Sequence, residues 1–298
     1  MTRRACLASL ILFLFSAPIL LPAQEAVQTP PWVLYEQGMQ LLEQGRFGEA
    51  LRRFRAAARQ RAPFPEAEVG IGRVLQAEGS FDLAVRQYRT ALEQSYAFEV
   101  PQTAYLVRYL IADVHRLRGD SRAYEQKLLE IAGQEAAFSD PGLEDRRAAY
   151  LDVLRNRGLD RLMVLYRIDD GFSHRAHREL GMHLFDHARD GALEHLTFAV
   201  MKGFTRLVGE LRQRQFDYRY TTAVDVLADA HEVRYLSDYL EREDFYRTLY
   251  YLGLALERET PSSETAVSIW RTLAALPEAG EWYLRALERV AGPSLRRR

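Results

Sequence analysis

Cysteine is nearly absent from this chain. The single cysteine, Cys6, lies in an apolar N-terminal segment that we expect to be removed from the mature protein. The mature protein would then have no thiol, which excludes disulfides, a cysteine nucleophile and cysteine metal ligands. Cys6 also precedes the apolar run instead of following it, which argues against a lipid-attachment cysteine.

Lysine and net charge are scarce as well. Lys127 and Lys202 are the only lysines among 40 basic residues, and 41 acidic residues bring the formal net charge to −1. A chain balanced in this way is not expected to bind nucleic acid through bulk positive charge. The sequence also contains no phosphate loop, nucleophile elbow or dinucleotide fingerprint. We therefore expect no catalysis and no cofactor.

Strand patterns are missing too. No useful length of the chain alternates apolar and polar residues with period two, the pattern of half-buried strands. Instead, apolar residues recur at intervals of three and four, and prolines fall between these segments. The sequence therefore predicts an all-α protein.

The N-terminus is typical of an export signal. A basic pair, Arg3-Arg4, precedes an apolar run from Leu7 to Phe15 that is too short for a comfortable membrane span. We predict a cleaved signal peptide over 1–23 and a tether over 24–31, and hence a periplasmic or cell-envelope protein. If the signal is not cleaved, the same segment would anchor the protein to the membrane.

One pattern of small and aromatic residues occurs twice within 32–99, with a period of 34 residues. The pairs are Gly38 and Gly72, Gly45 and Gly79, Phe47 and Phe81, Ala50 and Ala84, Phe54 and Tyr88, and Ala57 and Ala91. Small residues at fixed offsets with this period are typical of a helix–turn–helix repeat. Gly45 and Gly79 are expected in the turns, where glycine ends a helix.

This spacing resembles the tetratricopeptide repeat (TPR) family, whose Ala-x3-Phe element is matched by Ala50-x3-Phe54 and its counterpart in the second copy. The resemblance implies a right-handed α-solenoid of about five to seven TPR-like helix–turn–helix pairs. We expect the two helices of a pair to touch where Gly38 meets Ala50, because small side chains let helix axes approach closely.

The rest of the chain matches the pattern less well. We predict degenerate TPR-like pairs over 100–205, among them a fourth pair that turns at Gly158. A helical part with one further TPR-like pair and a capping helix is predicted over 206–292, followed by a basic tail over 293–298.

Members of this family usually bind a protein or peptide along the concave face, which the first helix of each pair lines. Aromatic and arginine side chains, which are common at binding hot spots, are frequent at the corresponding positions here. The predicted groove residues are Trp32, Tyr35, Met39, Leu42, Arg73, Tyr109, Arg116, Arg178, Phe185 and Tyr250. These residues predict a non-catalytic interaction scaffold or assembly factor whose partner is a protein or peptide.

Histidines provide an alternative. Five of the seven histidines lie within 174–195, and His183 and His187 share a helix face at a spacing that suits a metal. Leucine stands where a zinc protease would have its catalytic glutamate, so that chemistry is not expected. A metal-binding or pH-sensing regulator or enzyme that uses the histidine cluster 174–195 is one alternative to the scaffold, and a self-associating structural module is the other.

Overall fold

The part of the chain that the structure describes is mainly helical. The computed structural model describes residues 29–291, the side chain at position 137 excepted, and this part contains helices and no β-strand. The predicted signal peptide 1–23, most of the tether 24–31 and the tail 293–298 lie outside the described residues. The helices are α1 (Pro31–Glu43), α2 (Phe47–Gln60), α3 (Pro65–Ala77), α4 (Phe81–Glu93), α5 (Thr103–Leu117), α6 (Ser121–Ala132), α7 (Ala136–Ser139), α8 (Glu144–Leu165), α9 (His174–Asp186), α10 (Ala192–Arg214), α11 (Ala223–His231), α12 (Arg234–Arg242), α13 (Phe245–Glu259), α14 (Glu264–Leu273) and α15 (Glu281–Ala291).

The helices pack as successive pairs. Contacts join α1 with α2, α3 with α4, α5 with α6, α9 with α10, and α13 with α14. The second helix of each pair also contacts the first helix of the next, so that α2 meets α3, α4 meets α5, α6 meets α9, and α10 meets α13. The last helix, α15, lies against α14 and α13, where the sequence predicts a capping helix.

The turns within the first pairs are built alike. Gly45 and Gly79 have φ angles of 72° and 74°, values that favour glycine because it has no Cβ. The next residue then bonds back to the last helical turn, from Arg46 N–H to Leu41 O at 2.8 Å and from Ser80 N–H to Leu75 O at 2.8 Å. This six-to-one bond is the Schellman motif. It reverses the chain so that the second helix can pack against the first.

The close approach within a pair differs from the one we expected. A Cβ added at Gly38 would lie 2.7 Å from the Phe54 ring, and one at Gly72 would lie 2.4 Å from the Tyr88 ring. The nearest neighbour of each glycine is therefore the aromatic side chain four residues after the expected alanine. The absent Cβ makes room for a flat ring, and Phe54 and Tyr88 are fully buried in that space.

Residues 133–173 do not continue the series of paired helices. Because α6 contacts α9 directly, the predicted fourth pair does not lie between them. At Gly158, where a turn was predicted, the backbone leaves helical geometry with φ 82° and ψ 176° and α8 is kinked. Helix α8 packs against α10, α11 and α14. The boundary predicted at 205/206 also falls inside α10, which is a single helix.

The buried apolar residues are distributed unevenly. One continuous cluster extends from Tyr150 to Ala286 and includes residues of α8 to α15. The first pairs instead hold smaller separate clusters, such as the one around Phe54 and Val74. None of the described helices combines the length and hydropathy needed to cross a membrane.

Candidate partner-binding surface

The first helices of the first three pairs enclose a pocket of about 180 Å³. We call it the groove pocket. It is lined by Tyr35, Met39, Glu66, Val69, Gly70, Arg73, Thr103, Leu106 and Leu110. Three of the predicted groove residues, Tyr35, Met39 and Arg73, therefore lie around one cavity although they come from two different helices. Gly70, Thr103 and Leu110 were missed. The spacing of Thr103 and Leu110, three and four residues from Leu106 on α5, is the signal that could have found those two.

The walls of the groove pocket are partly apolar. Tyr35 is half-buried, with its ring centroid 5.8 Å from that of Phe54 and 5.7 Å from that of Phe64. Across the pocket, Leu106 leaves 52% of its surface exposed. Trp32, on the same helix as Tyr35, is 62% exposed. One wall of the pocket, at Tyr35, is therefore aromatic and well packed, and the opposite wall, at Leu106, is aliphatic and exposed to solvent.

Two charged groups of the groove pocket have unused bonding capacity. Glu66 accepts a hydrogen bond from the Glu99 N–H at Oε1 (2.8 Å), whereas its buried Oε2 has no partner among the described residues. Arg73 is exposed and forms no ion pair within 29–291. A buried acceptor without a donor is unfavourable and calls for an explanation. Of these two groups, only the Arg73 guanidinium is exposed to a ligand, because Glu66 Oε2 is enclosed by the protein.

A second pocket of about 330 Å³ lies between α5, α6, α9 and α13. Its lining residues are Arg116, Tyr124, Glu179, Met182, His183, Asp186 and Arg247. Arg116 is a predicted groove residue, and it pairs with Asp113 at 3.2 Å. The Tyr124 hydroxyl donates to Glu179 at 2.9 Å. Most polar groups of this second pocket are therefore already engaged with one another.

Two predicted groove residues are not on an open face. Tyr109 is 6% exposed and Tyr250 is 8% exposed, so the expectation that they line an open groove is wrong. The Tyr109 hydroxyl donates to Phe172 O at 2.5 Å and accepts from the Ala176 N–H at 2.9 Å. That N–H belongs to the first turn of α9, where helical donors lack partners. Tyr109 therefore joins α5 to α9, and Tyr250 packs with its ring centroid 5.4 Å from that of Trp282.

The remaining predicted groove residues have partners within the chain. Arg178 pairs with Glu243 at 3.2 Å and is largely buried. Phe185 is half-buried, with the Arg258 guanidinium 4.3 Å from its ring centroid. Leu42 packs against the cluster around Phe54 and does not line the groove pocket. These contacts leave the groove pocket as the place where predicted residues and open space coincide.

Three of the crowded histidines lie inside the protein, beside the fully buried Lys202. The Lys202 ammonium donates to Glu135 Oε1 at 2.5 Å and to Asp169 O at 2.8 Å. Burial by itself raises the pKa of Glu135, but His177, Lys202 and Ser173 outweigh it and lower that pKa to about 2. Glu135 therefore remains a carboxylate, and its pairing with Lys202 fastens the segment before α7 to α10.

The other histidines of this buried group complete the network. His177 and His195 share a hydrogen bond between their Nδ1 atoms at 2.9 Å. Asp170 accepts from the Tyr239 hydroxyl at 3.0 Å and lies 2.8 Å from His174 Nδ1. Neither pocket described above is lined by these side chains. The crowding of histidines in the sequence thus produces an internal network that joins α9, α10 and α12.

His183 and His187 lie apart from that network. Their ring centroids are 4.2 Å apart, and His187 Nδ1 bonds to His183 O at 2.8 Å. His183 Nε2 is 3.6 Å from Glu125 Oε2. Within residues 29–291, no group of three or more histidine, cysteine, aspartate or glutamate side chains is arranged to hold a metal ion.

Comparison with known proteins gives little functional information. No protein-family model matches the chain. A protein of Treponema pallidum (strain Nichols), named only as an uncharacterized protein, is 26% identical over 168 residues. The match covers 55% of this chain and 45% of that protein, so the chain spans less than half of this relative.

Proposed function

We propose that this protein is an exported TPR-like α-solenoid that acts as a non-catalytic scaffold and binds a protein partner through an extended peptide segment. The groove pocket is the binding site. Support for the array comes from the recurring 34-residue pattern and from the packing of each second helix on the next first helix. Support for export comes from the sequence of the N-terminal segment alone.

The observation that carries the binding proposal is an exposed, unpaired guanidinium beside an apolar cavity with an exposed leucine wall. A peptide backbone presents an N–H and a C=O on each unit. The exposed, unpaired guanidinium of Arg73 donates to a backbone carbonyl or a carboxylate of the peptide. Binding of this kind requires no covalent chemistry.

The size of the cavity limits which side chain can anchor a bound peptide in it. A cavity of 150 Å³ accommodates a benzene-sized group, and the groove pocket measures about 180 Å³. One leucine, methionine or phenylalanine side chain therefore fits between Tyr35 and Leu106. An acidic residue near this anchor would complement Arg73, and the adjacent exposed Trp32 extends the apolar surface along α1.

A peptide selection tests this proposal. Peptides are selected from a random display library on the purified mature protein, and the Kd of the strongest binder is measured by fluorescence anisotropy. Leu106→Ala should raise that Kd more than tenfold, equivalent to about 1.4 kcal/mol or more. Leu117→Ala is the matched control, because Leu117 lies on the same helix, is 54% exposed and lines neither pocket.

The outcomes separate the proposal from its alternatives. Equal effects of Leu106→Ala and Leu117→Ala would place the binding site elsewhere. Failure to select any peptide, together with concentration-dependent light scattering, would favour a self-associating module. Stoichiometric metal in the purified protein that is lost on His183→Ala would favour the metal-binding alternative.

A further inference from the structure

A separate pocket of about 130 Å³ lies on the other side of α5. We call it the basic pocket. Its lining residues are Arg89, Leu92, Arg108, Ile111, Lys127, Glu130, Ile131 and Gln134. Arg108 follows Leu106 by two residues, which is about 200° around the helix at 3.6 residues per turn. The groove pocket and the basic pocket are therefore separated by the body of α5.

The charges of the basic pocket do not balance. Lys127 is neutralised by Glu130, whose two carboxylate oxygens lie 2.9 Å and 2.7 Å from the lysine Nζ. Arg89 and Arg108 have no ion pair or hydrogen bond among the described residues. The Nε of Arg108 is buried and has no hydrogen-bond partner. Two uncompensated guanidinium groups therefore border one small cavity.

The floor of the basic pocket is apolar. Ile111 is 5% exposed and Ile131 is 1% exposed, and both belong to the packed interior of the third pair. Leu92, on α4, completes this surface. A small inorganic anion would satisfy the arginines but leave the floor without contacts. The pocket therefore matches a ligand that carries both a negative charge and an apolar group.

We propose that the basic pocket binds a carboxylate attached to a short branched or cyclic apolar group. A guanidinium presents parallel N–H donors that match the two oxygens of a carboxylate. The volume is close to that of a cavity that accommodates benzene, so an apolar group of about five or six carbons fits. Such a ligand is either a free carboxylic acid or the C-terminal residue of a peptide with an apolar side chain.

Titration calorimetry on the mature protein tests the site with defined probes. 4-Methylpentanoate and acetyl-Gly-Gly-Leu should each give saturable binding. Acetate, which lacks the apolar group, should bind more weakly than 4-methylpentanoate, and acetyl-Gly-Gly-Leu-amide should not bind. Tighter binding of the acid would assign the site to free carboxylic acids, and tighter binding of the peptide would assign it to chain termini. Both results support the site.

Variants then locate the binding. Arg108→Gln and Arg89→Gln should each weaken binding of the tighter probe at least tenfold, and Arg89 is exposed, so its replacement leaves the fold intact. Arg122→Gln is the matched control, because Arg122 is an exposed arginine of α6 that does not line the pocket. It should leave the Kd unchanged, as should Leu106→Ala in the groove pocket.

Three results would overturn the proposal. Equal binding of the amide would show that the charge is not recognised. Equal binding of acetate and 4-methylpentanoate would show that the apolar floor is not used. Absence of binding by both the acid and the peptide would show that the basic pocket is not a carboxylate site, whatever the groove pocket does.

Discussion

Replacing Gly203 by alanine tests the packing between α10 and α13. A Cβ at this position would lie 2.2 Å from Cε2 and 2.7 Å from Cδ2 of Phe245. That ring is 1% exposed and packs edge-on against Phe204 with centroids 5.2 Å apart, so it has little room to retreat. Overpacking costs about 1–3 kcal/mol, and this overlap belongs at the upper end. Alanine also gains about 1 kcal/mol of helix propensity, which leaves a net loss of about 2 kcal/mol.

The matched control is in the same helix. Gly209 is exposed, and a Cβ there would meet nothing within 4 Å. Gly209→Ala should therefore stabilise the protein by up to about 1 kcal/mol through propensity alone. The two variants should differ by about 3 kcal/mol in the free energy of unfolding.

Urea unfolding followed by circular dichroism at 222 nm measures this difference. The effect of Gly203→Ala should shrink in a Phe245→Leu background, because the smaller side chain removes the overlap, and a double-mutant cycle isolates that coupling. If Gly203→Ala is as stable as Gly209→Ala, or if no coupling to Phe245 is found, α10 and α13 do not pack as described.

The other predictions concern the buried polar network. Lys202→Met should reduce stability by about 3–5 kcal/mol in urea unfolding, because it leaves the Glu135 carboxylate buried without its partner. Adding Glu135→Gln should recover part of this loss, and an unchanged loss would contradict the pairing. Burial is the main cause that lowers the pKa of His195 from 6.5 to about 3, and the neighbouring His177 lowers it further. At pH values between these two pKa values, the unfolded chain holds a proton on this histidine that the folded chain does not. Stability should therefore fall as pH decreases from 7 to 5, by up to about 1.4 kcal/mol per pH unit from this one group, and equal slopes for wild type and His195→Gln would contradict it.

Local spacing predicted much of the fold. The 34-residue period placed the first two helix pairs and their glycine turns, because the information lies within a few residues of each turn. The same pattern indicated the pairs formed by α9 with α10 and by α13 with α14. It also predicted that Tyr35, Met39 and Arg73 lie on one face, because residues at equivalent repeat positions face the same side. These three residues line one pocket.

Contacts between distant parts of the chain were not predictable in this way. Residues 133–173 have no repeat spacing that would place them against α10, α11 and α14. Glu135 and Lys202 are 67 residues apart, and nothing in either local sequence indicates that they pair. Tyr109 was expected to be exposed because its repeat position is open in a regular array. Here the segment before α9 covers it.

The uneven division of the apolar core sets how the protein unfolds. In a simple repeat array each unit depends only on its neighbours, so the units can unfold one after another. Contacts such as the Thr265 hydroxyl with Arg155 O, across 110 residues, tie the second half into one unit. The first half of the chain should therefore unfold in steps, with hydrogen-exchange protection that differs from one helix pair to the next. The amides of the second half should exchange together, in one cooperative opening.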